Sequence, residues 1–135
     1  VVGFARLVLS LSGQSDAAVK YASMTAVGLA GIVYYALSVP RTGFGTYRHL
    51  LPLIFNQGLI ANGIAILGIA LSAAGLPNIY DVAEFRPPFA REATPIAHAL
   101  AHLFIGTTVG TLVGWIVGSL IMAVGGRPRK PGMPD

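Results

Sequence analysis

Two histidines four residues apart, His98 and His102, lie in PIAHALAHLF (95–104), a stretch with no acidic or basic residue among them. That separation puts both side chains on one side of a helix. Imidazole ligates haem iron, the magnesium of chlorophyll-type pigments, copper and zinc, and a histidine in an apolar helix is a functional candidate by default. Geometry restricts what this pair can do. Neighbours on one helix can share one metal ion, but they cannot take the two opposite axial positions of one haem. The third histidine, His49, precedes a different apolar run and falls at its opposite end. A haem within the chain therefore has no second axial histidine, whereas a haem shared with another subunit stays open. A mixed site could recruit Asp81, Glu84 or Glu92 and would suit zinc, iron or copper. The spacing matches no zincin or di-iron pattern. The structural alternative places His98 at the headgroup level and has His102 hydrogen-bond to a neighbouring helix or partner.

The same helix carries Gly106, Gly110, Gly114 and Gly118 at four-residue spacing, three overlapping GxxxG units. Small residues at i and i+4 let a second backbone come close. Four residues advance about 400° around a helix, so the stripe drifts about 40° per step and winds. With Gly58 and Asn62 of the preceding apolar run, these glycines are the expected helix-packing residues. The alternative is a groove for a flat or chain-like ligand, such as a lipid tail, carotenoid or tetrapyrrole. Asn56, Gln57 and Asn62 are amides in an apolar run, and such groups usually bond across to another helix for about 1 kcal/mol or less each. A sharper alternative has Asn62 line a polar path for ions or substrate.

The elements that must position these residues follow from the charges. Of 135 residues, 54% are hydrophobic and only 10% are Asp, Glu, Lys or Arg, against about 25% in a soluble domain. Mean hydropathy is +0.70. Nine basic and five acidic side chains cannot dress a soluble surface, which argues against a soluble enzyme, a disordered chain and a nucleic-acid partner. The net charge of +4 describes loops and tails. There is no cysteine, so disulfides, thiolate nucleophiles, iron–sulfur clusters and Cys-ligated zinc are excluded. No Ser/His/Asp set, paired buried carboxylates or nucleophile elbow occurs, and the chain is not expected to be an enzyme.

Stretches 21–40, 49–80 and 93–126 contain no Asp, Glu, Lys or Arg. A bilayer core of about 30 Å needs about 20 apolar residues in a helix, and lipid leaves backbone groups no other partner. The expected fold class is an all-α integral membrane protein with three transmembrane helices. The spans are expected at about 16–39, 50–74 and 95–124 within a membrane domain of 15–125. Ser15 would cap the first, with Asp16 in its first turn and Pro40 ending it; Gly75 and Pro77 would stop the second. Thr94-Pro95 reads as the start of the third and Gly125-Gly126 as its end. At about 30 residues, or roughly 45 Å, the third must tilt or protrude, at the His98 end. Segment 1–14 is an interfacial helix with Arg6 at the headgroups, or the remnant of a further, truncated span. Segment 126–135 is a basic, Pro-rich tail, expected to be disordered and to touch anionic lipid.

In the loops, 41–49 reads as an interfacial turn. Segment 78–95, with Tyr80, Phe85, Arg86 and Phe89, reads as a docking loop for another subunit or an amphipathic piece lying on the membrane. Arg41, Arg48, Arg127, Arg129 and Lys130 face Arg6, Lys20, Arg86 and Arg91 across three spans. That bias puts the C-terminus in the cytoplasm. The chain is thus expected in the bacterial inner (cytoplasmic) membrane. No charged residue lies deep in a span, so ion-coupled transport is not expected. The leading functional expectation is a non-catalytic accessory subunit that packs through its glycine face into a larger membrane complex, respiratory (electron transport) or photosynthetic. Its partners would be other transmembrane subunits and membrane lipids, with bound lipid as its ligand. The alternatives are a redox or pigment subunit with a histidine ligand to haem, chlorophyll or a metal, and a small homo-oligomeric channel.

Overall fold

A computed structural model describes residues 1–19, 23–82 and 91–125. Among these the chain is all-helical. In order come α1 (Val2–Leu11), α2 (Asp16–Val19), α3 (Met24–Arg41), α4 (Tyr47–Ala73), a 3-10 turn (Ile79–Asp81) and α5 (Pro95–Gly125). Three helices, α3, α4 and α5, are long and apolar enough to cross a membrane. At 1.5 Å per residue the 18 residues of α3 span about 27 Å and the 31 of α5 about 46 Å.

The helix boundaries are chemical. Ser23 caps α3, its Oγ accepting the Ala26 N–H at 3.1 Å. Ser15 caps only α2, accepting from Ala18 at 3.4 Å. The stretch expected as one span from residue 16 therefore carries two caps, and residues 20–22 lie outside the described residues. Pro40 does not end α3. It sits in the last turn, and Gly43, at φ +68°, turns the chain away after Arg41. Helix α4 starts at Tyr47, earlier than the expected residue 50. The Thr46 N–H donates to His49 Nδ1 at 3.0 Å, so His49 fills the capping-box position usually held by Glu or Gln. Gly75, at φ +91°, closes α4. Thr94 caps α5, accepting from Ala97 at 3.3 Å, with Pro95 in the first turn.

Within α5, Ala101–Gly106 forms a π turn. His102 lies within it among apolar residues, and no spacing in the sequence announces it. An i→i+5 turn changes the angular register. His98 and His102 nevertheless line the same cleft as Gly106, Gly110 and Gly114, and His102 and Gly106 both face Asn62.

Helices α3 and α5 run in the same direction and α4 runs against them. Position 114 of α5 lies beside Ile32 of α3 and Ile54 of α4, and position 125 lies beside Leu37. The tight core is at one end, where Ile32, Ala36, Val39, Leu50, Ile54 and Met122 are buried together. Trp115 Nε1 donates to the Tyr47 carbonyl at 2.8 Å and ties α5 to the start of α4 there. Helix α1 docks at the other end with Gly3 and Leu7 buried. Ser10 Oγ accepts the Ile79 N–H at 2.8 Å, and the Tyr80 hydroxyl donates to the Gly3 carbonyl at 2.8 Å.

Candidate ligand-binding cleft

The long helices part around a partly open cleft of about 610 Å³ that reaches from Arg6 and Tyr80 to Ile32 and Ile54 at the edge of the tight core. Its polar lining includes Arg6, Thr25, Gln57, Asn62, Tyr80, His98 and His102.

Asn62 lies mid-way along α4. Its Nδ2 donates to the Gly58 carbonyl at 3.0 Å, which turns Oδ1 towards α5. There Oδ1 is 2.9 Å from His102 Nδ1. An amide oxygen only accepts, so Nδ1 carries the hydrogen, and in the neutral imidazole that leaves Nε2 as the acceptor. Gly106 provides the clearance: a Cβ at that position would stand 2.8 Å from Asn62 Oδ1. In the π turn, the Thr107 hydroxyl donates to the His102 carbonyl at 3.3 Å. One turn earlier, His98 is buried with its Nδ1 3.4 Å from Asp81 Oδ1. The two imidazole centroids are 5.0 Å apart. Gln57 reaches the other way, donating from Nε2 to the Gly28 carbonyl of α3 at 2.8 Å. A side chain at Gly31 would collide with the Gln57 amide.

The far wall is built by the 78–82 segment. Asn78 is buried and donates from Nδ2 to the carbonyls of Gly68 (2.7 Å) and Leu76 (3.0 Å). Its Oδ1 accepts the Tyr80 N–H at 3.1 Å. This presses the Tyr80 ring onto Gly68, where a Cβ would come 2.6 Å from the ring. Arg6 of α1 stacks its guanidinium 5.4 Å from the Tyr80 ring centre. Burial raises the Tyr80 phenol above its ordinary value, with Arg6 opposing, so the hydroxyl stays a donor at neutral pH. Arg6 Nε is itself buried and has no hydrogen-bond partner among the described residues.

The glycine stripe divides between two roles. A Cβ at Gly114 would stand 2.9 Å from Ile54 Cγ2 and 3.0 Å from Ile32 Cδ1, and one at Gly118 would stand 3.3 Å from Ile32 Cγ2. Gly58 lies against Thr111 in the same way, at 3.6 Å. Gly110 has no atom within 4 Å of such a Cβ and opens onto the cleft. Of the expected docking residues, Tyr80 faces inward. Phe85, Arg86 and Phe89 lie outside the described residues, as does Glu84. No group of three or more metal-ligating side chains converges among the described residues. Both imidazoles use Nδ1 for protein contacts, and that is the orientation in which a ligating histidine presents Nε2.

Arg6 was legible as a cation in an apolar helix, but nothing in the sequence pointed it at Tyr80. Asn78 follows Pro77 and carried only a turn signal.

The Asn62–His102 pair is open to a direct check. Asn62→Leu and His102→Leu should each lower stability by about 1–2 kcal/mol, because each strands a part-buried polar partner. The double variant should lose clearly less than the sum. Equilibrium unfolding in detergent reads both quantities, and strict additivity would mean that the two side chains do not interact.

The fold and cleft together define a class: a bundle of three long apolar helices around a mainly apolar cleft that carries a few polar side chains away from the tight core. Comparison with family models, with curated proteins and with solved structures gave no match to the chain.

Proposed function

We propose that the chain is an integral membrane protein that works by holding a ligand in its cleft, as a non-catalytic subunit rather than an enzyme. One observation carries this reading. Gln57, Asn62 and His102, all from the long apolar helices, converge on one cleft together with Arg6 and Tyr80. A cavity of about 300–1,000 Å³ with apolar walls and a few convergent polar groups is the usual form of a small-molecule site. The cleft lies within that range. Polar groups in apolar helices are costly, which favours a role for them. Arg41 and Arg48 beside the 42–46 loop, with Arg127, Arg129 and Lys130 after α5, favour that loop and the C-terminus on the cytoplasmic side of a bacterial inner membrane.

A second reading rests on His102. Its accepting Nε2 supports a pigment or haem ligand contributed to a larger respiratory or photosynthetic complex.

Purification from native membranes in mild detergent tests both. The chain should stay in the membrane after alkaline carbonate and carry a small molecule detectable by mass spectrometry of the extract. Gly110→Leu, which projects into the cleft, should lose that molecule while the fold survives. Release by carbonate would overturn membrane integration, and an unchanged extract from Gly110→Leu would overturn the cleft as the site. A Soret or chlorophyll band in the wild-type spectrum would select the second reading.

A further inference from the structure

We infer that the cleft takes an anionic amphiphile, its charged head at Arg6 and a single apolar chain running along α5 towards Val117. This rests on the cleft being a ligand site and names the ligand's chemistry.

Arg6 is the first ground. It lines the polar end of the cleft, and no carboxylate partner for it occurs among the described residues. The carboxylate nearest that end, Asp81, faces His98. A guanidinium with a desolvated, unpaired N–H is costly. Carboxylate and phosphate oxygens match its donors in a charge-assisted, two-pronged contact.

The second ground is the polarity gradient. Arg6, Tyr80, His98 and the Asn62–His102 pair occupy one end. Ile32, Ile54, Val113 and Val117 line the other, with no polar side chain among them. A compact polar ligand would leave that end unfilled, and a wholly apolar one would leave Arg6 uncompensated.

The third ground is shape. On α5 the lining runs from His98 to Val117. That is about 28 Å at 1.5 Å per residue. The lining is elongated along this path, with Gly110 open to it while Gly106 and Gly114 pack against Asn62 and Ile54, so the space is a track along the helix. An extended chain fits such a track better than a flat macrocycle does. A zwitterionic head would bring its own cation to Arg6, and like charges held together in a site of reduced dielectric repel.

Binding of defined probes to the delipidated, detergent-solubilised chain tests this, read by native mass spectrometry or radiolabel retention. The probes are oleate, oleoyl lysophosphatidylglycerol and oleoyl lysophosphatidylcholine, which share a tail and differ in the head. At least one of the two anionic probes should bind ten-fold or more tightly than the zwitterionic one. Whether oleate or the lysophospholipid prevails tells a free fatty acid from a phospholipid head. Arg6→Gln should remove that preference and Arg6→Lys should retain most of it, with helical content by circular dichroism unchanged in both. Val113→Trp, which fills the apolar track, should abolish binding of all three. Equal binding of all probes, or a preference that survives Arg6→Gln, would overturn the anionic head while leaving the cleft as a site. Binding indifferent to both Val113→Trp and Gly110→Leu would overturn the cleft itself.

Discussion

Gly114→Leu should destabilise the protein by roughly 3 kcal/mol, whereas Gly110→Leu, one turn earlier in the same GxxxG series, should cost well under 1 kcal/mol. By spacing alone the two glycines are equivalent. By their surroundings they are opposites. At Gly114 even a methyl group would press on Ile54 Cγ2 at 2.9 Å and Ile32 Cδ1 at 3.0 Å. Both isoleucines are buried in the core cluster with Ala36, Leu50 and Met122. They cannot yield without moving α3 or α4, and a close-packed interior resists added volume. At Gly110 the new side chain meets no atom within 4 Å. It enters the cleft instead, so its effect falls on binding. Equilibrium unfolding of both variants in one detergent supplies the comparison. Equal losses would mean that the stripe acts as one uniform packing surface. A mild Gly114→Leu would place the tight core elsewhere.

The contrast marks how far the sequence could be read. The three long helices were visible in the charge gaps, because apolar runs of that length have few ways to satisfy their backbone. The start of α5 was visible too, since Thr94-Pro95 combines a capping hydroxyl with a proline suited to a first turn. For the first span, Ser15 and Ser23 are both competent caps on the same side of the apolar run, and the stretch long and apolar enough to cross is Ala17–Arg41. The π turn at 101–106 had no signature, although His102 lies within it. The site was legible as an inventory: His98, His102, Asn62 and Gln57 were singled out by type. Their grouping with Arg6 and Tyr80 was not, because it depends on α1 docking against a segment far away in the chain. Tyr80 itself read as part of a docking loop for another subunit or of an amphipathic piece lying on the membrane. Gly68 is what admits its ring, and that glycine stands in no motif.

Asn78→Leu should cost about 2–4 kcal/mol and loosen the mouth of the cleft, although Asn78 is not among the residues that line it. The residue is only 5% exposed, and its amide makes contacts in three directions. It holds the chain to the Gly68 carbonyl of α4, closes its own turn onto Leu76, and fixes the Tyr80 backbone. Leucine preserves bulk and removes all of these, leaving the Tyr80 N–H without its acceptor. The consequences should spread in order. Tyr80 loses its seat on Gly68, its hydroxyl no longer reaches the Gly3 carbonyl, and α1 with Arg6 is released. Amide hydrogen exchange should therefore quicken across α1 and residues 78–82 while α3 and the core half of α5 stay protected. Asn78→Asp separates the parts, since it keeps the acceptor for Tyr80 and removes the donor to Gly68. It should fall between leucine and wild type. If α1 kept its full protection in Asn78→Leu, α1 would be held by Gly3 and Leu7 packing alone, and the polar end of the cleft would stand without the 78–82 segment.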